Sequence, residues 1–195
     1  MLSFSSVTAN TSPVTAEQFQ QTGEDFTLAG DLTNQAYQLA RLGRYEDAER
    51  LHSRSLQLKV GSVGRQHPSV ATSYNGLGEA QLKLGRLDEA EVNLRTAITF
   101  REAFGQRFEA ACSKENLAQV YEMRGDLAQA KDFRKQWGGK EFMVCSHYDC
   151  PHSTTFPFNE LRACSRCKVS TSIYYCSIDC QVCDWKRHKR YCKEQ

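Results

Sequence analysis

The chain has 195 residues, enough for one domain of ordinary size and a second, smaller one. Charged residues make up 25% of it, with 25 Lys and Arg against 23 Asp and Glu, so the formal net charge is only +2 and excludes a strong overall attraction to nucleic acid. No stretch approaches the ~20 apolar residues of a membrane-spanning helix. The first residues lack the basic cluster and long apolar run of a secretory signal. We therefore expect an intracellular protein, in the cytoplasm or nucleus, with no membrane partner.

The first 22 residues are rich in Ser, Thr, Gln and Asn and contain few large apolar side chains. Such a composition cannot bury enough apolar surface to offset the entropy that is lost on ordering. We predict that residues 1–22 form a mostly disordered polar tail, in which Ala16 to Phe19 could form a short helix.

Residues 23–137 contain a repeated pattern. The sequence LGRYEDAE at 42–49 returns as LGRLDEAE at 84–91 and, more weakly, as RGDLAQAK at 124–131. Glycine suits the left-handed residue that closes a helix, so each repeat marks the turn of a helical hairpin. The pattern predicts three antiparallel hairpins that stack and share a core. The turn glycines, 42 and then 40 residues apart, are Gly43, Gly85 and Gly125.

Other residues of this segment support the hairpins, with one departure. Pro68 suits the first turn of a helix, where its missing N–H costs no hydrogen bond. Arg134, however, stands where the second repeat has Leu94. The small residues that follow each turn, and that let paired helices approach closely, are Ala48, Ala90 and Ala130.

This segment resembles tetratricopeptide repeats, in the longer variety found in kinesin light chains. The resemblance rests on the repeated core above and on HPSVATS at 67–73. It implies a mainly α fold, an α-solenoid with an inner groove that binds a protein partner. Asn34 and Asn116 lie nine residues before their turn glycines, and Asn75 lies beside the corresponding Gly76. An Asn there can hydrogen-bond the backbone of an extended ligand; the alternative is a solvated helix-surface amide.

A short linker, residues 138–144, leads to a cysteine-rich module at 145–192, which we expect to lie close against the last repeat. Eight of the nine cysteines fall in this module, and in a reducing compartment such a cluster indicates a metal site and not a disulfide framework. The candidate ligands come in pairs: Cys145-x4-Cys150, Cys164-x2-Cys167, Cys176-x3-Cys180 and His188-x3-Cys192.

Four pairs complete two tetrahedral zinc sites with no position left for water, which is typical of structural zinc. Binding two Zn²⁺ would bring the net charge to about −1. We predict a short strand at 172–175 and a helix at 179–192 that places His188 and Cys192 on one face. Because the module has few large aliphatic residues, zinc should dominate its stability.

The module resembles the MYND finger, through RACSRC at 162–167, YYCS at 174–177 and the spacing of Gln181, Trp185 and His188 after Cys180. The resemblance implies interleaved ligation, which the spacing alone does not establish. One zinc would be bound by Cys145, Cys150, Cys176 and Cys180, and the other by Cys164, Cys167, His188 and Cys192.

Two features of the ligand set leave alternatives open. Four residues separate Cys145 from Cys150 where two are usual, and His147 is the best substitute ligand. Cys183 also forms a Cys-x2-Cys pair with Cys180, but on a helix it would lie roughly 140° around the axis from His188. We therefore predict that Cys183 is a spare thiol.

MYND fingers bind short proline-containing peptides, so the resemblance implies a peptide groove here, with Gln181 and Trp185 beside it. The alternative for Trp185 is packing in the zinc core. The sequence thus predicts an adaptor that binds one protein on the finger and another on the repeats.

The sequence also bears on two other classes of function. A nucleic acid-associated or transcriptional regulatory protein would use the basic residues of the last helix. We expect no catalysis, since the residues outside the two modules cannot supply the SET domain of MYND-containing methyltransferases, and no phosphate loop or Ser/His/Asp arrangement is present. The basic residues are Lys186, Arg187, Lys189, Arg190 and Lys193.

Overall fold

The computed structural model describes residues 15–138, 143–152, 154–164, 166 and 173–192. Within these ranges, three antiparallel helical hairpins are followed by a small module with two short strands and one further helix. None of the described helices is long and apolar enough to cross a membrane. The helices of the hairpins are α1 (Ala16–Arg41), α2 (Tyr45–Val63), α3 (Pro68–Lys83), α4 (Leu87–Ala103), α5 (Arg107–Arg124) and α6 (Leu127–Gly138).

Helix α1 begins earlier than the sequence pattern indicates, inside the segment that we assigned to the polar tail. Thr15 and Gln18 form a capping box in which each side chain bonds the backbone N–H of the other, at 3.2 and 2.9 Å. Two further side-chain hydrogen bonds of 3.0 Å, from Gln20 and Gln21 to acidic residues four positions on, support the first turns. Local bonding therefore orders residues 16–22, whereas residues 1–14 lie outside the described ranges.

The hairpin turns lie at the predicted glycines. Gly43, Gly85 and Gly125 have φ angles of +76°, +78° and +83°, which favour glycine because a Cβ is strained there. Helix α3 begins at Pro68, as predicted. The three alanines that follow the turns are fully buried.

The hairpins stack into two layers. Each helix packs against the next, and α3 also contacts both α1 and α5, so these three helices form an inner layer, while α2, α4 and α6 lie outside. The apolar core lies between the second and third hairpins. Its largest fully buried members are Leu82, Leu94, Leu117, Val120 and Tyr121. Together the six helices, residues 16–138, are the repeat array.

Gly76 is a close-packing site inside the array. A Cβ at this position would lie 2.6 Å or less from three ring atoms of His52, a buried residue that also packs edge-on against Tyr37. The His52 imidazole therefore occupies the space that an Asn side chain at position 76 would need. Burial lowers the pKa of His52 to about 4, so the ring is neutral.

We expect Gly76→Ala to destabilise the array by about 1–3 kcal/mol, since the His52 ring cannot move without displacing its neighbours. Urea unfolding followed by helical circular dichroism measures this loss. Gly30→Ala is the matched control: Gly30 is also helical, has nothing within 4 Å of an added Cβ, and should gain up to ~1 kcal/mol. Equal stability of the two variants would contradict the close packing.

The finger, residues 143–192, is organised by short elements. Strands β1 (Arg162–Ala163) and β2 (Tyr174–Tyr175) pair antiparallel, and Met143 forms an isolated bridge with Phe156. Helix α7 (Ile178–His188) is capped by the Ser177 side chain, which accepts from the Cys180 N–H at 3.1 Å. Cysteines form much of the finger's buried cluster, as expected of a metal-stabilised module.

Helix α7 is shorter at its carboxyl end than the predicted helix at 179–192, and this part of the prediction is wrong. The helix ends at His188, and the chain turns through residues 189–191. The Cys192 N–H still donates to the His188 carbonyl at 3.0 Å, so the turn keeps the two predicted ligands near each other.

Candidate metal centre and the interface between the modules

Four cysteine sulfurs converge at one point of the finger. Cys145 follows the Met143 bridge, Cys150 lies in the next turn, Cys176 follows β2, and Cys180 lies in the first turn of α7. All four Sγ atoms lie within 4.8 Å of one another. Three of the Sγ–Sγ distances, those among Cys150, Cys176 and Cys180, are 3.5, 3.6 and 3.8 Å.

These spacings fit a tetrahedral metal site. With zinc–sulfur bonds of ~2.3 Å, the sulfurs of a regular tetrahedron are roughly 3.8 Å apart. A disulfide would instead need sulfurs at ~2.05 Å, and all the cysteines of the described ranges are free thiols. Four soft sulfur donors with no oxygen ligand among them are suited to zinc.

A second cluster contains Cys164, His188 and Cys192. The Cys164 and Cys192 sulfurs lie 3.9 Å apart, and His188 is fully buried beside the Tyr175 and Trp185 rings. The fourth predicted ligand, Cys167, lies outside the described residues. The donor set again suits zinc, and the interleaved ligation implied by the family resemblance stays a prediction.

Burial opposes ionisation of the thiols when no metal is present. Burial raises the pKa of Cys145 well above its usual range and that of Cys176 to about 11. Burial acts in the same direction on Cys180, but hydrogen bonds, led by that of Ser177, outweigh it and lower its pKa to about 7. Since a metal binds thiolates, metal binding must release protons, and its affinity should fall as the pH is lowered.

His147 and Cys183 differ in their relation to the clusters. His147 is near enough to the Cys180 thiol to lower its pKa, but it does not belong to the group of four sulfurs, and it stays an alternative ligand. Cys183 is exposed and belongs to neither cluster, as expected of a spare thiol.

The predicted peptide-binding residues of α7 have different surroundings. The Gln181 side-chain nitrogen lies 3.5 Å from the Cys164 sulfur, so this amide supports a candidate metal ligand. Trp185 is half-buried against His188. Ile178 and Val182, which the sequence analysis missed, are 61% and 66% exposed and continue the Trp185 side of the helix. Their spacing of four and then three residues was the signal that could have identified this apolar stripe.

A chain of buried ion pairs, also missed by the sequence analysis, begins in the repeat array. Arg134 of α6 donates to both Glu115 oxygens at 2.9 and 2.6 Å and to Glu122 at 2.5 Å. All three side chains are buried. This contact explains why Arg134 replaces the leucine of the preceding repeat: its partners are two buried carboxylates of α5, which need positive charge beside them.

The ion-pair chain continues into the finger. Arg187 of α7 donates to the second Glu122 oxygen at 2.7 Å and to both Asp184 oxygens at 2.8 and 2.6 Å. Asp184 also accepts from the Tyr175 hydroxyl at 2.7 Å. The ion-pair chain therefore joins the strand and helix of the finger to α5 of the repeat array. Arg187, which belongs to the predicted basic cluster, therefore makes an internal contact.

The finger lies against the inner layer of the array and not only against the last repeat. The Lys83 ammonium of α3 lies 4.5 Å from the centre of the Tyr148 ring, a cation–π contact. A cavity of about 370 Å³ lies between the modules, lined by α1, α3, α5 and the finger segment 144–150.

Of the three asparagines assigned to the groove, two line this cavity. Asn34 is exposed on α1 and does not line it. Asn75 donates to Glu79 at 3.3 Å and accepts from the Ser113 hydroxyl at 2.7 Å, whereas the Asn116 side chain makes no hydrogen bond to the described residues. The structure thus brings Asn75 and Asn116 to one cavity and separates Asn34 from them.

Sequence comparison agrees with both halves of the fold. Residues 27–103 and 114–134 match family models described as tetratricopeptide repeat, and residues 143–192 match the MYND finger. A stretch of 33 residues in the finger region is 54% identical to a SET and MYND domain-containing protein of Dictyostelium discoideum, but it covers 17% of this chain and 6% of that relative. Both matched modules are non-catalytic, and a MYND finger implies zinc binding. The chain is therefore a MYND-type zinc finger protein with amino-terminal tetratricopeptide repeats.

Proposed function

We propose that this protein is a non-catalytic adaptor that binds one partner on its MYND finger and a second in the groove of its repeats. The proposal includes two structural zinc ions, one held by the four-cysteine cluster and the other by Cys164, Cys167, His188 and Cys192. The observation that carries it is an exposed apolar stripe on a helix that the metal sites hold in place. An exposed apolar stripe of this kind is typical of a protein-binding surface.

The finger partner is a short proline-containing peptide that docks beside α7. Ile178 and Val182 offer apolar contact, and Trp185 adds a half-buried aromatic ring at the end of the stripe. A proline-rich segment is already extended, so it loses little entropy on docking against such a surface. Gln181 is the polar member of the site, although its amide also faces a metal ligand.

Val182→Asp should weaken binding of proline-containing peptides by about tenfold or more, because it places a charge in the apolar stripe. Fluorescence polarisation with a panel of labelled peptides measures the effect. Cys183→Ser, also exposed on α7 but beside the stripe, is the matched control and should bind as the parent protein does. Equal binding by both variants would contradict the proposed surface.

The second partner binds in the groove, where Asn75 and Asn116 line the cavity under the finger and Asn34 lies farther out on α1. A pull-down with Val182→Asp and Asn116→Ala tests the two-partner proposal, since each variant should lose a different subset of captured proteins. If both variants kept the full partner set, the adaptor function would be wrong.

A further inference from the structure

The cavity between the array and the finger contains a buried acidic group without a counter-ion. The Glu79 side chain is only 7% exposed and accepts one hydrogen bond, from Asn75. Within the described ranges no Lys or Arg forms an ion pair with it. Burial raises the pKa of Glu79 to about 7, because the charged form of this carboxylate is unfavourable away from water and without a counter-ion.

The two cations whose charges act on Glu79 make their own contacts elsewhere. Lys83, one helical turn from Glu79, places its ammonium over the Tyr148 ring. Arg101 donates to Ser113 and to the Glu109 carbonyl. Arg41 lines the same cavity but is exposed at its rim, where solvent screens its charge. The interior of the cavity therefore favours a positive group.

Two further polar side chains face the cavity with unused hydrogen-bonding groups. Asn116 and Gln119 are 8% and 4% exposed, and neither side-chain amide bonds any described residue. An amide offers a donor and an acceptor, which match the carbonyl and N–H of a peptide backbone. Their polar atoms remain accessible from the cavity, so a ligand that enters it can complete their hydrogen bonds.

Size and shape agree with a peptide side chain. The cavity volume of about 370 Å³ lies near the lower end of the range of ligand pockets, ~300–1,000 Å³. The aromatic ring of Tyr37 lines it, and that of Tyr148, which the Lys83 ammonium already contacts, lies at its exposed rim. Aromatic rings beside a carboxylate are suited to a Lys ammonium or an Arg guanidinium.

We infer that this cavity binds the cationic side chain, Lys or Arg, of a peptide from the second partner, with Glu79 as counter-ion and Asn116 and Gln119 bonding the peptide backbone. The inference rests on the proposed use of the groove for a protein partner. It also means that the finger contributes to the groove site, because Tyr148 and its neighbours form one wall of the cavity.

The test uses the full zinc-loaded chain and capped tripeptides, Gly-Lys-Gly and Gly-Arg-Gly against the neutral Gly-Gln-Gly, titrated by ligand-detected NMR. We expect a cationic tripeptide to bind about tenfold or more tightly than the neutral one. Glu79→Gln should abolish this preference, whereas Glu46→Gln, an exposed acid on α2, should keep it. Asn116→Ala should weaken all three tripeptides, and n-butylammonium, which lacks a peptide backbone, should bind more weakly than Gly-Lys-Gly.

Equal affinity for charged and neutral tripeptides, or a preference that survives Glu79→Gln, would overturn the inference. So would equal binding of butylammonium, which would show that the site does not contact a peptide backbone. Thermal unfolding of each variant checks the fold, and Glu79→Gln should be no less stable because it removes a buried charge. If the parent protein showed no preference for cationic tripeptides but the repeats still captured their partner, this inference would be wrong and the proposed adaptor function would stand.

Discussion

Removing zinc from this protein should unfold the finger while the repeat array stays helical. A structural zinc site contributes about 10–16 kcal/mol in finger peptides, far more than the small core of this module supplies. Hydrogen exchange measured by mass spectrometry, before and after chelation, gives the result region by region. We expect residues 143–192 to lose protection and α2 and α4 to keep theirs, because those outer helices pack within the array alone.

Single-ligand variants sharpen this prediction. Cys176→Ser removes a sulfur from the first cluster, and Cys164→Ser removes one from the second; each should expose the finger to exchange. Cys183→Ser, which changes an exposed cysteine outside both clusters, should leave protection unchanged. A finger that remained protected after chelation would show that its fold does not depend on metal.

Breaking the ion-pair chain should have the second largest effect. Arg187→Met leaves Glu122 buried with one oxygen unpaired and removes both bonds to Asp184. Removing one member of a buried pair costs about 3–5 kcal/mol, because the remaining charge is not solvated. Chemical denaturation measures the loss, and Lys186→Met, an exposed neighbour on the same helix, should change stability by less than ~0.5 kcal/mol.

A double-mutant cycle separates the contact between the modules from the rest of the network. Glu122→Gln, Arg187→Met and their combination should give a coupling energy well above the ~1 kcal/mol of an exposed pair. The single variants should also raise exchange at residues 144–148, where the Arg187 guanidinium bonds the Ser146 carbonyl at 3.3 Å. A coupling energy near zero would contradict the docked arrangement of finger and array.

The features that depend on local sequence were predictable. The turn glycines could be placed because a left-handed backbone conformation favours glycine. The candidate metal ligands could be placed because zinc ligands often occur as pairs that are close in sequence. Helix ends were less predictable. Helix α7 ends at His188 although the residues after it are good helix formers, and α1 starts at a capping box that the polar composition of the tail concealed.

The contact between the modules could not be predicted, because it depends on residues far apart in the chain. Glu122 and Arg187 are 65 positions apart and belong to different modules. The sequence shows Arg134 as a departure from the repeat pattern, but only the fold supplies Glu115 and Glu122 as its partners. Glu79 gives no signal in the sequence, since its lack of a counter-ion is a property of the packed structure.

Native mass spectrometry of the intact chain counts bound ions without disturbing the fold, so it tests the two-zinc arrangement of the finger. This arrangement predicts a mass increase of two zinc ions on the 195-residue chain, reduced to one by Cys176→Ser and unchanged by Cys183→Ser. A chain that carries no zinc, or that carries the same number after Cys176→Ser, would contradict it.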